Sequence, residues 1–312
     1  MEQSLALLRA AGENTRLRVL LLLLRLELTV TDLMEILGQS QPRISRHLKL
    51  LTDAGLVVRH QEGTWAYFRL ADTEPQKGFL AHVLNSIDPH DAGLARDLFA
   101  LDAIEERRNA HAAAYFAANA EGWDKIRSLH VAQEAVEERM LEMGMAHNPK
   151  SLLDLGTGTG RIIQLFADHL ERAVGVDSSP EMLAIARSSI ASLSLNASVR
   201  RGDLSALRLN AAFDLTVLHL VLHYLDRPQE ALEQAAAHMS ENGRLLIADF
   251  APHELEFLRS DHAHRRLGIA KDQLENWLSE AGLEVEQFET LAPPEGVDGG
   301  LVMFLCLARK IR

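Results

Sequence analysis

The stretch Leu152–Ile162, LLDLGTGTGRI, decides how the chain is read. Leu152 to Leu155 form a short apolar run suited to a buried parallel strand, with one acidic residue, Asp154, inside it. Glycines follow at 156, 158 and 160, and a helical pattern opens at Arg161. Glycine lets a backbone approach a ligand closely, and a helix N-terminus offers N–H groups that no turn of the helix satisfies. The stretch therefore reads as a strand, loop and helix built to hold a nucleotide-like ligand. A triphosphate cradle requires Lys and then Ser or Thr after its last glycine, where this chain has Arg161 and Ile162. A dinucleotide loop requires a third glycine three positions after the second, and that position is again Arg161. Both ligands fit badly.

The 312 residues are enough for two domains with separate cores. Nearly half the residues are apolar and 24% are charged, the balance of a globular chain. The apolar run Val19 to Leu24 is far shorter than the roughly 20 residues that cross a bilayer. The N-terminus carries Glu2 and no small-residue cleavage pattern, so the expected location is the cytoplasm, with no membrane partner. One cysteine, Cys306, excludes a disulfide framework or a thiolate metal cluster within the chain, and no metal is expected. The net charge of −12 is unevenly spread: residues 1–80 hold ten Lys or Arg against nine Asp or Glu, a balance of +1 that leaves −13 for the remainder. Between Ser40 and His60 the one acid is Asp53, against Arg43, Arg46, Lys49 and Arg59.

That basic stretch lies in an ordered series of elements. A helix from about Thr15 to Leu26 puts Leu17, Leu20, Leu21 and Leu24 on one side, and Thr29 or Thr31 caps a short helix that Gly38 stops. Ser40 caps a third helix, with Pro42 in its first turn and Gly55 after its end. Ile44, Leu48 and Leu51 recur at i, i+4 and i+7 and leave Gln41, Arg43, Ser45, Arg46, His47 and Lys49 on the other faces. Two β-prone runs around Glu62 and Gly63 make a hairpin carrying Arg59 and His60. Three helices and a hairpin are a winged helix-turn-helix. A helix offering Arg, Gln, Ser and Lys suits the major groove of double-stranded DNA, since Arg reads guanine and Gln reads adenine. Over residues 1–80 the segments NTRLRVLLLL, TDLMEILGQSQPRISRHLKLLTDAGLV and RHQEGTWAYFRL resemble the ArsR-type family of dimeric repressors. The resemblance implies a homodimer on an inverted-repeat operator, with the helix Gln41 to Ala54 in the groove. Many members sense metal or arsenite through cysteines in the preceding helix; this chain has none there, and His82, Asp88, His90, Asp91 and His111 have spacings that fix no coordination set.

From Lys77 to Ala146 the chain reads as mainly helical, without a Gly or Pro tether. Part of it, around Leu94 to Phe116, is suited to pairing with a second subunit. Tyr115, Phe116 and Trp123 cluster here in a chain with few aromatics, and Trp123 with Asp124 either line a pocket or pack between helices.

Beyond the glycines, DLGTGTG resembles motif I of class I methyltransferases, whose ligand is S-adenosyl-L-methionine or its demethylated product S-adenosyl-L-homocysteine. RAVGVDSSPEMLAIAR, VRRGDLSAL, FDLTVLHLVLHYLDRPQEAL and MSENGRLLIADF match the later motifs in order, with a partial likeness to the UbiE-like group. The resemblance implies cofactor contacts from Asp154, Gly156, Thr157, Gly158, Gly160, Asp177, Ser178, Met182, Asp203, Leu204 and His219. Asp177 would accept the ribose hydroxyls, Met182 pack on adenine, and Asp203 with Leu204 meet the adenine edge. Late strands LEVEQFETL and GLVMFLCLAR, after a helix from Lys271 to Ala281, suit a sheet with a reversed strand near one edge.

No acid or base for catalysis can be read off, so His219 and Trp123 stand as candidates. His219 and His223 are spaced i, i+4, but the glutamate of a zinc motif is absent and the segment begins as a strand. His253, Asp261, His262, His264, Arg265 and Arg266 form a polar cluster that either binds an acidic substrate or is a solvated loop. Arsenite methyltransferases bind arsenic through several cysteines, and Cys306 stands alone. The expected fold class is α/β: a winged-helix DNA-binding domain at 1–85, a helical connector at 86–148, and a Rossmann-like methyltransferase domain at 149–312. The expected function is a regulator carrying a methyltransferase for a small molecule, or a repressor that reads adenosyl-ligand occupancy without catalysis.

Overall fold

The computed structural model describes residues 2–62, 65–71, 74–88, 91–120, 133–293 and 300–311. Gly63, His90, Trp123 and Asp124 lie outside the described residues, as do the side chains of His60 and His111. The chain divides into two compact units, residues 1–110 and 111–312, so the helical connecting segment is shared between them.

The first unit begins with α1 (Glu2–Ala11), α2 (Asn14–Arg25), β1 (Leu28–Thr29), α3 (Val30–Leu37) and α4 (Gln41–Asp53). β2 (Val57–Glu62) and β3 (Trp65–Leu70) pair antiparallel as the expected hairpin, and β1 adds to β3 for a sheet order β1-β3-β2. α5 (Gln76–Asn85) and the first part of α6 (Ala92–Asn119) complete it. Thr29 and Asp32 form a capping box at the start of α3: Thr29 Oγ1 accepts from Asp32 N–H, and the Asp32 carboxylate accepts from Thr29 N–H. Gly38 ends α3 in the left-handed conformation, at φ 64°. Ile44, Leu48 and Leu51 of α4 are buried, as their spacing demands. The phase of α2 differs from expectation. Its buried apolar residues are Val19, Leu20, Leu22 and Leu23, while Leu24 is exposed. An unbroken run of leucines has no polar residue to mark a face, so packing against α4 and β3 sets the phase.

The second unit is a seven-stranded sheet of β4 (Ser151–Leu155), β5 (Arg172–Asp177), β6 (Asn196–Arg201), β7 (Phe213–His219), β8 (Met239–Phe250), β9 (Leu283–Leu291) and β10 (Met303–Lys310). Its order is β6-β5-β4-β7-β8-β10-β9. The first five strands are parallel and β10 runs antiparallel between β8 and β9, the reversed strand near one edge. α7 (Gln133–Met145), α8 (Arg161–Phe166) and α9 (Pro180–Ile190) precede β6, and α10 (Pro228–His238), α11 (Phe257–Asp261) and α12 (Lys271–Glu280) follow β7. Two apolar clusters cover the sheet, one including Met140, Ile163, Phe166 and Leu215, the other Leu232, Leu274, Trp277 and Phe304. Buried sheets of this kind explain the near-continuous apolar runs of β4, β7 and β8. Cys306 is buried in β10, and burial pushes its thiol up to about 12, so it is inert packing. This is the Rossmann-like class I methyltransferase architecture. The chain leaves β4 toward β5 on one side and returns to β7 on the other, which opens a crevice at the C-terminal edge of these strands.

Candidate functional site

The crevice is floored by the glycine loop. Gly156, Gly158 and Gly160 all have positive φ, of 76°, 51° and 84°. At Gly156 a Cβ would lie 2.4 Å from Val221 Cγ2, so this position has no room for a side chain. Asp154, fully buried in β4, accepts the Thr157 hydroxyl at 2.6 Å and ties the loop to the strand that feeds it. The amides of Gly156 and Thr157 donate to the Val176 carbonyl at the end of β5. Asp177 Oδ2 accepts Gly158 N–H and Oδ1 accepts Ser179 N–H, both at 2.9 Å. Burial raises the Asp177 carboxyl, and those two N–H groups with that of Ser178 pull it back down. Each of its oxygens has accepted one of these bonds and has a further lone pair to offer, which is what a ribose diol requires.

Arg161, the residue that spoils the phosphate-binding patterns, forms a two-point ion pair with Glu137 of α7, Nε to Oε1 at 3.0 Å and Nη2 to Oε2 at 2.5 Å. Its charge is committed to a buried carboxylate rather than offered to a phosphate. The pair also fastens the helix ahead of the glycine loop onto the start of α8.

The other expected ligand contacts divide. Met182 is fully buried in the first turn of α9, Ser178 is exposed beside Asp177, and Leu204 is half-buried. Asp203 is exposed, and its Oδ1 accepts the Ser205 amide and hydroxyl in a tight local turn. His219 is the last residue of β7 and is buried at the crevice edge. The backbone immediately after it is unusual: Leu220 holds φ 55°, a conformation that costs a non-glycine residue and recurs at functional sites.

Past Leu220, a single 3-10 turn, Leu222–Tyr224, places His223 against Asp249 of β8. His223 Nδ1 and Asp249 Oδ1 are 2.6 Å apart and both side chains are 1% exposed. Asp249 Oδ1 also accepts Phe250 N–H at 2.8 Å. His223 Nε2, buried, has no hydrogen-bond partner. The rings of Tyr224, His264 and Phe250 lie 4.1, 4.2 and 4.9 Å from that of His223. His264 is itself buried, which holds its imidazole well below the usual histidine range, and the nearby His223, His253, His262 and Arg259 push the same way. Burial likewise raises the Tyr224 phenol well above its ordinary value. Further out, Tyr115 Oη and His262 Nδ1 are 2.7 Å apart, and burial pushes that phenol up to about 12.

The reading of residues 253–266 as a solvated loop or an acid-binding cluster is corrected in part. His264 and Arg266 are buried, and Arg266 donates to the carbonyls of Leu225 and Asp226 while lying over the Trp277 ring, 5.6 Å from its centroid. Asp261 is exposed. The i, i+4 relation of His219 and His223 is not helical, because a strand end and a turn separate them. Spacing alone did not reveal the partnership of His223 with Asp249, 26 residues away.

In the first unit, α4 exposes Gln41, Arg43, Ser45, Arg46 and Lys49 together. Ser40 occupies the N-cap position, but its hydroxyl makes no cap bond. Lys49 pairs with Asp53 at 3.1 Å, and Arg59 in β2 donates to Gln61. His47 turns inward, with Nδ1 3.6 Å from Glu13, and burial lowers its pKa. It sits apart from the exposed basic face.

Comparison with known proteins bears on both units. Residues 13–58 match the model of bacterial regulatory proteins of the arsR family, and 146–284 match a methyltransferase domain. An arsenic resistance transcriptional regulator of Pseudomonas putida is 36% identical over 100 residues, which span 32% of this chain and 77% of that protein. The chain belongs to the arsR family. The arsenical resistance operon repressor of Escherichia coli is 46% identical over 70 residues, covering 22% of this chain and 60% of that one. On the other side, the demethylmenaquinone methyltransferase of Thermus thermophilus is 30% identical over 117 residues, 36% of this chain and 53% of that enzyme. The arsR-type chain thus spans little more than half of several curated relatives. Two solved structures share the fold of the second unit, each with a TM-score of 0.50. An S-adenosylmethionine-dependent methyltransferase from Clostridium acetobutylicum is 16% identical and covers 61% of this chain and 97% of that one. The [4+2]-cyclase SpnF is 19% identical and covers 57% and 82%. Among the described residues no helix is long and apolar enough to cross a membrane, and no cluster of three or more His, Cys, Asp or Glu is placed to hold a metal ion.

Proposed function

We propose that the chain is a cytoplasmic, homodimeric transcriptional regulator that binds an inverted-repeat operator and carries an S-adenosylmethionine-dependent methyltransferase for a small molecule. The observation that supports the enzymatic half is the glycine loop closed by Asp177 at the end of β5, where an adenosyl ribose would lie. Gly156, Thr157, Gly158 and Gly160 would approach the ligand through backbone, with Asp154 as the loop's anchor, and Ser178, Met182, Asp203, Leu204 and His219 around it. The DNA contacts would come from Gln41, Arg43, Ser45, Arg46 and Lys49, flanked by Ser40 and by Arg59 and His60 of the wing. Asp177→Ala should abolish S-adenosylhomocysteine binding in a calorimetric titration of the full chain; undiminished affinity would refute the ligand assignment.

A second reading, in which adenosyl ligands are sensed as well as used, is favoured by α3, which carries no cysteine for a metal or arsenite signal. A ligand that binds two states of the chain differently shifts their populations, typically by about 1–3 kcal/mol. Affinity for operator fragments selected from a random library, measured with S-adenosylmethionine, S-adenosylhomocysteine and neither, tests this. A difference of roughly five-fold or more supports sensing, and three equal affinities exclude it.

A further inference from the structure

Gly175 is a buried glycine inside β5, where glycine weakens a strand and packs nothing. The backbone does not call for it. Gly175 is not among the glycines with positive φ, and it pairs in register with Asp154 of β4 on one side and Val199 of β6 on the other. Space is what calls for it. A Cβ at this position would lie 2.6 Å from Thr157 Oγ1, 2.9 Å from Thr157 Cβ and 2.9 Å from Ile163 Cδ1. Ile163 Cδ1 is the far end of a side chain that can turn away, whereas the Thr157 atoms belong to a β-branched residue with little rotamer freedom. A glycine of this kind marks a close approach by another part of the chain, and here that part is the middle of the glycine loop.

Thr157 is held by three hydrogen bonds. Its N–H donates to the Val176 carbonyl at 3.0 Å, its carbonyl accepts Gly160 N–H at 2.8 Å, and its hydroxyl donates to Asp154 Oδ2 at 2.6 Å. The residue is 5% exposed, so its side chain is folded back onto the register pair of Asp154 and Gly175 instead of pointing out of the loop. The next residue carries the consequence. Gly158 N–H donates to Asp177 Oδ2 at 2.9 Å, and Asp177 is the carboxylate that a ribose would meet. A side chain at 175 would push Thr157 out of its seat and draw the Gly158 amide away from that carboxylate.

We propose that Gly175 is a positioning residue of the adenosyl site: its missing side chain is the socket for Thr157, and the seated Thr157 fixes the Gly158 amide on the Asp177 carboxylate. The proposal rests on the adenosyl reading of the glycine loop. Gly175 and the Thr157 side chain act through the loop and do not touch the ligand, which meets backbone and Asp177. The hydroxyl matters as well as the fit, because it is the donor that a fully buried Asp154 receives from the loop.

Calorimetric titration of the full chain with S-adenosylhomocysteine reads both the affinity and the fraction of chains that bind. Gly175→Ala should weaken binding by roughly 10- to 100-fold, the worth of a hydrogen bond to a charged group, with roughly one ligand still bound per chain. In a Thr157→Gly background the socket is empty, and adding Gly175→Ala should cost less than about three-fold further. Thr157→Ser keeps the hydroxyl and should bind within about three-fold of wild type, whereas Thr157→Val has the same shape without the donor and should lose roughly ten-fold or more. If Gly175→Ala fails to fold, seen as lost stoichiometry instead of weakened affinity, the double variant should recover binding to the level of Thr157→Gly. Gly175→Ala within about three-fold of wild type, an equal cost with and without the Thr157 side chain, a double variant that binds nothing, or Thr157→Val binding as well as Thr157→Ser overturns the proposal. Failure of wild type to bind S-adenosylhomocysteine would instead bring down the adenosyl reading beneath it.

Discussion

Adding one methyl group at Gly156 tests the geometry of the glycine loop by two separable effects. The residue has φ 76°, and a Cβ there would stand 2.4 Å from Val221 Cγ2 and 3.1 Å from Cγ1. A non-glycine residue in the left-handed region costs about 1–2 kcal/mol. Overpacking a site that cannot yield costs about 1–3 kcal/mol more. Gly156→Ala should therefore destabilise the second unit by about 2–5 kcal/mol. In a Val221→Ala background the obstructing methyl groups are gone and only the backbone part remains, about 1–2 kcal/mol. The difference between the two backgrounds, about 1–3 kcal/mol, is the coupling energy of the contact. Because the chain has two units, a single global unfolding curve would mix them. Hydrogen exchange of peptides from 146–200, followed through urea, isolates the unit that matters. Equal costs in the two backgrounds would show that Val221 does not press on Gly156. A cost below about 0.5 kcal/mol in both would show that the loop does not hold this backbone conformation.

Four further outcomes are expected. Arg161→Ala leaves the buried Glu137 carboxylate without its cation, whereas Glu137→Gln leaves an arginine whose side chain is 39% exposed and can reach water; about 2–3 kcal/mol against 1 or less is expected by thermal unfolding. His264 is depressed in the folded chain by burial, so the stability it contributes is present above pH 6.5 and falls as the unfolded chain takes up the proton below it; His264→Asn should flatten that acid loss. Thr29→Ala removes one half of the α3 capping box and should cost the first unit about 1 kcal/mol, read from denaturant midpoints. Arg46→Ala should weaken operator binding and lower the slope of log affinity against log salt by about one if it meets a phosphate.

The features legible in the sequence are those in which neighbours along the chain are also neighbours in space. The apolar run and spaced glycines of 152–160, the Thr29–Asp32 cap and the period of Ile44, Leu48 and Leu51 are local, and each appears where the residues put it. The leucine run of α2 is local too, yet it has no polar residue to phase it, and Leu24 proves to face outward. The site beyond the loop depends on long-range pairing. Glu137 meets Arg161 and Asp249 meets His223 only because α7 packs by α8 and β7 pairs with β8. A signal for the second pair did exist: an aspartate in an otherwise apolar strand, LLIADF, has to be paired when that strand is central. The cluster at 253–266 differs from its composition for the converse reason. Its composition is that of a surface loop, while its arginine satisfies backbone carbonyls and its histidine fills an aromatic cluster.

A fold shared with both a methyltransferase and a cyclase leaves the chemistry to the side chains at the strand ends. Here those ends carry an aspartate whose lone pairs suit a ribose diol and a histidine whose free nitrogen is buried. The charge distribution is consistent with that division of labour. A unit that takes up a cationic sulfonium gains from an acidic surface, whereas DNA is repelled by it. The excess of −13 lies beyond residue 80, while α4 exposes Arg43, Arg46 and Lys49 on one helix. On the operator reading proposed above, a small basic face would bind DNA against the acidic excess of the chain, and raising salt would weaken both the attraction and the repulsion. On that proposal, contacts from Gln41, Arg43 and Arg46 would carry a larger share of binding than in a uniformly basic protein.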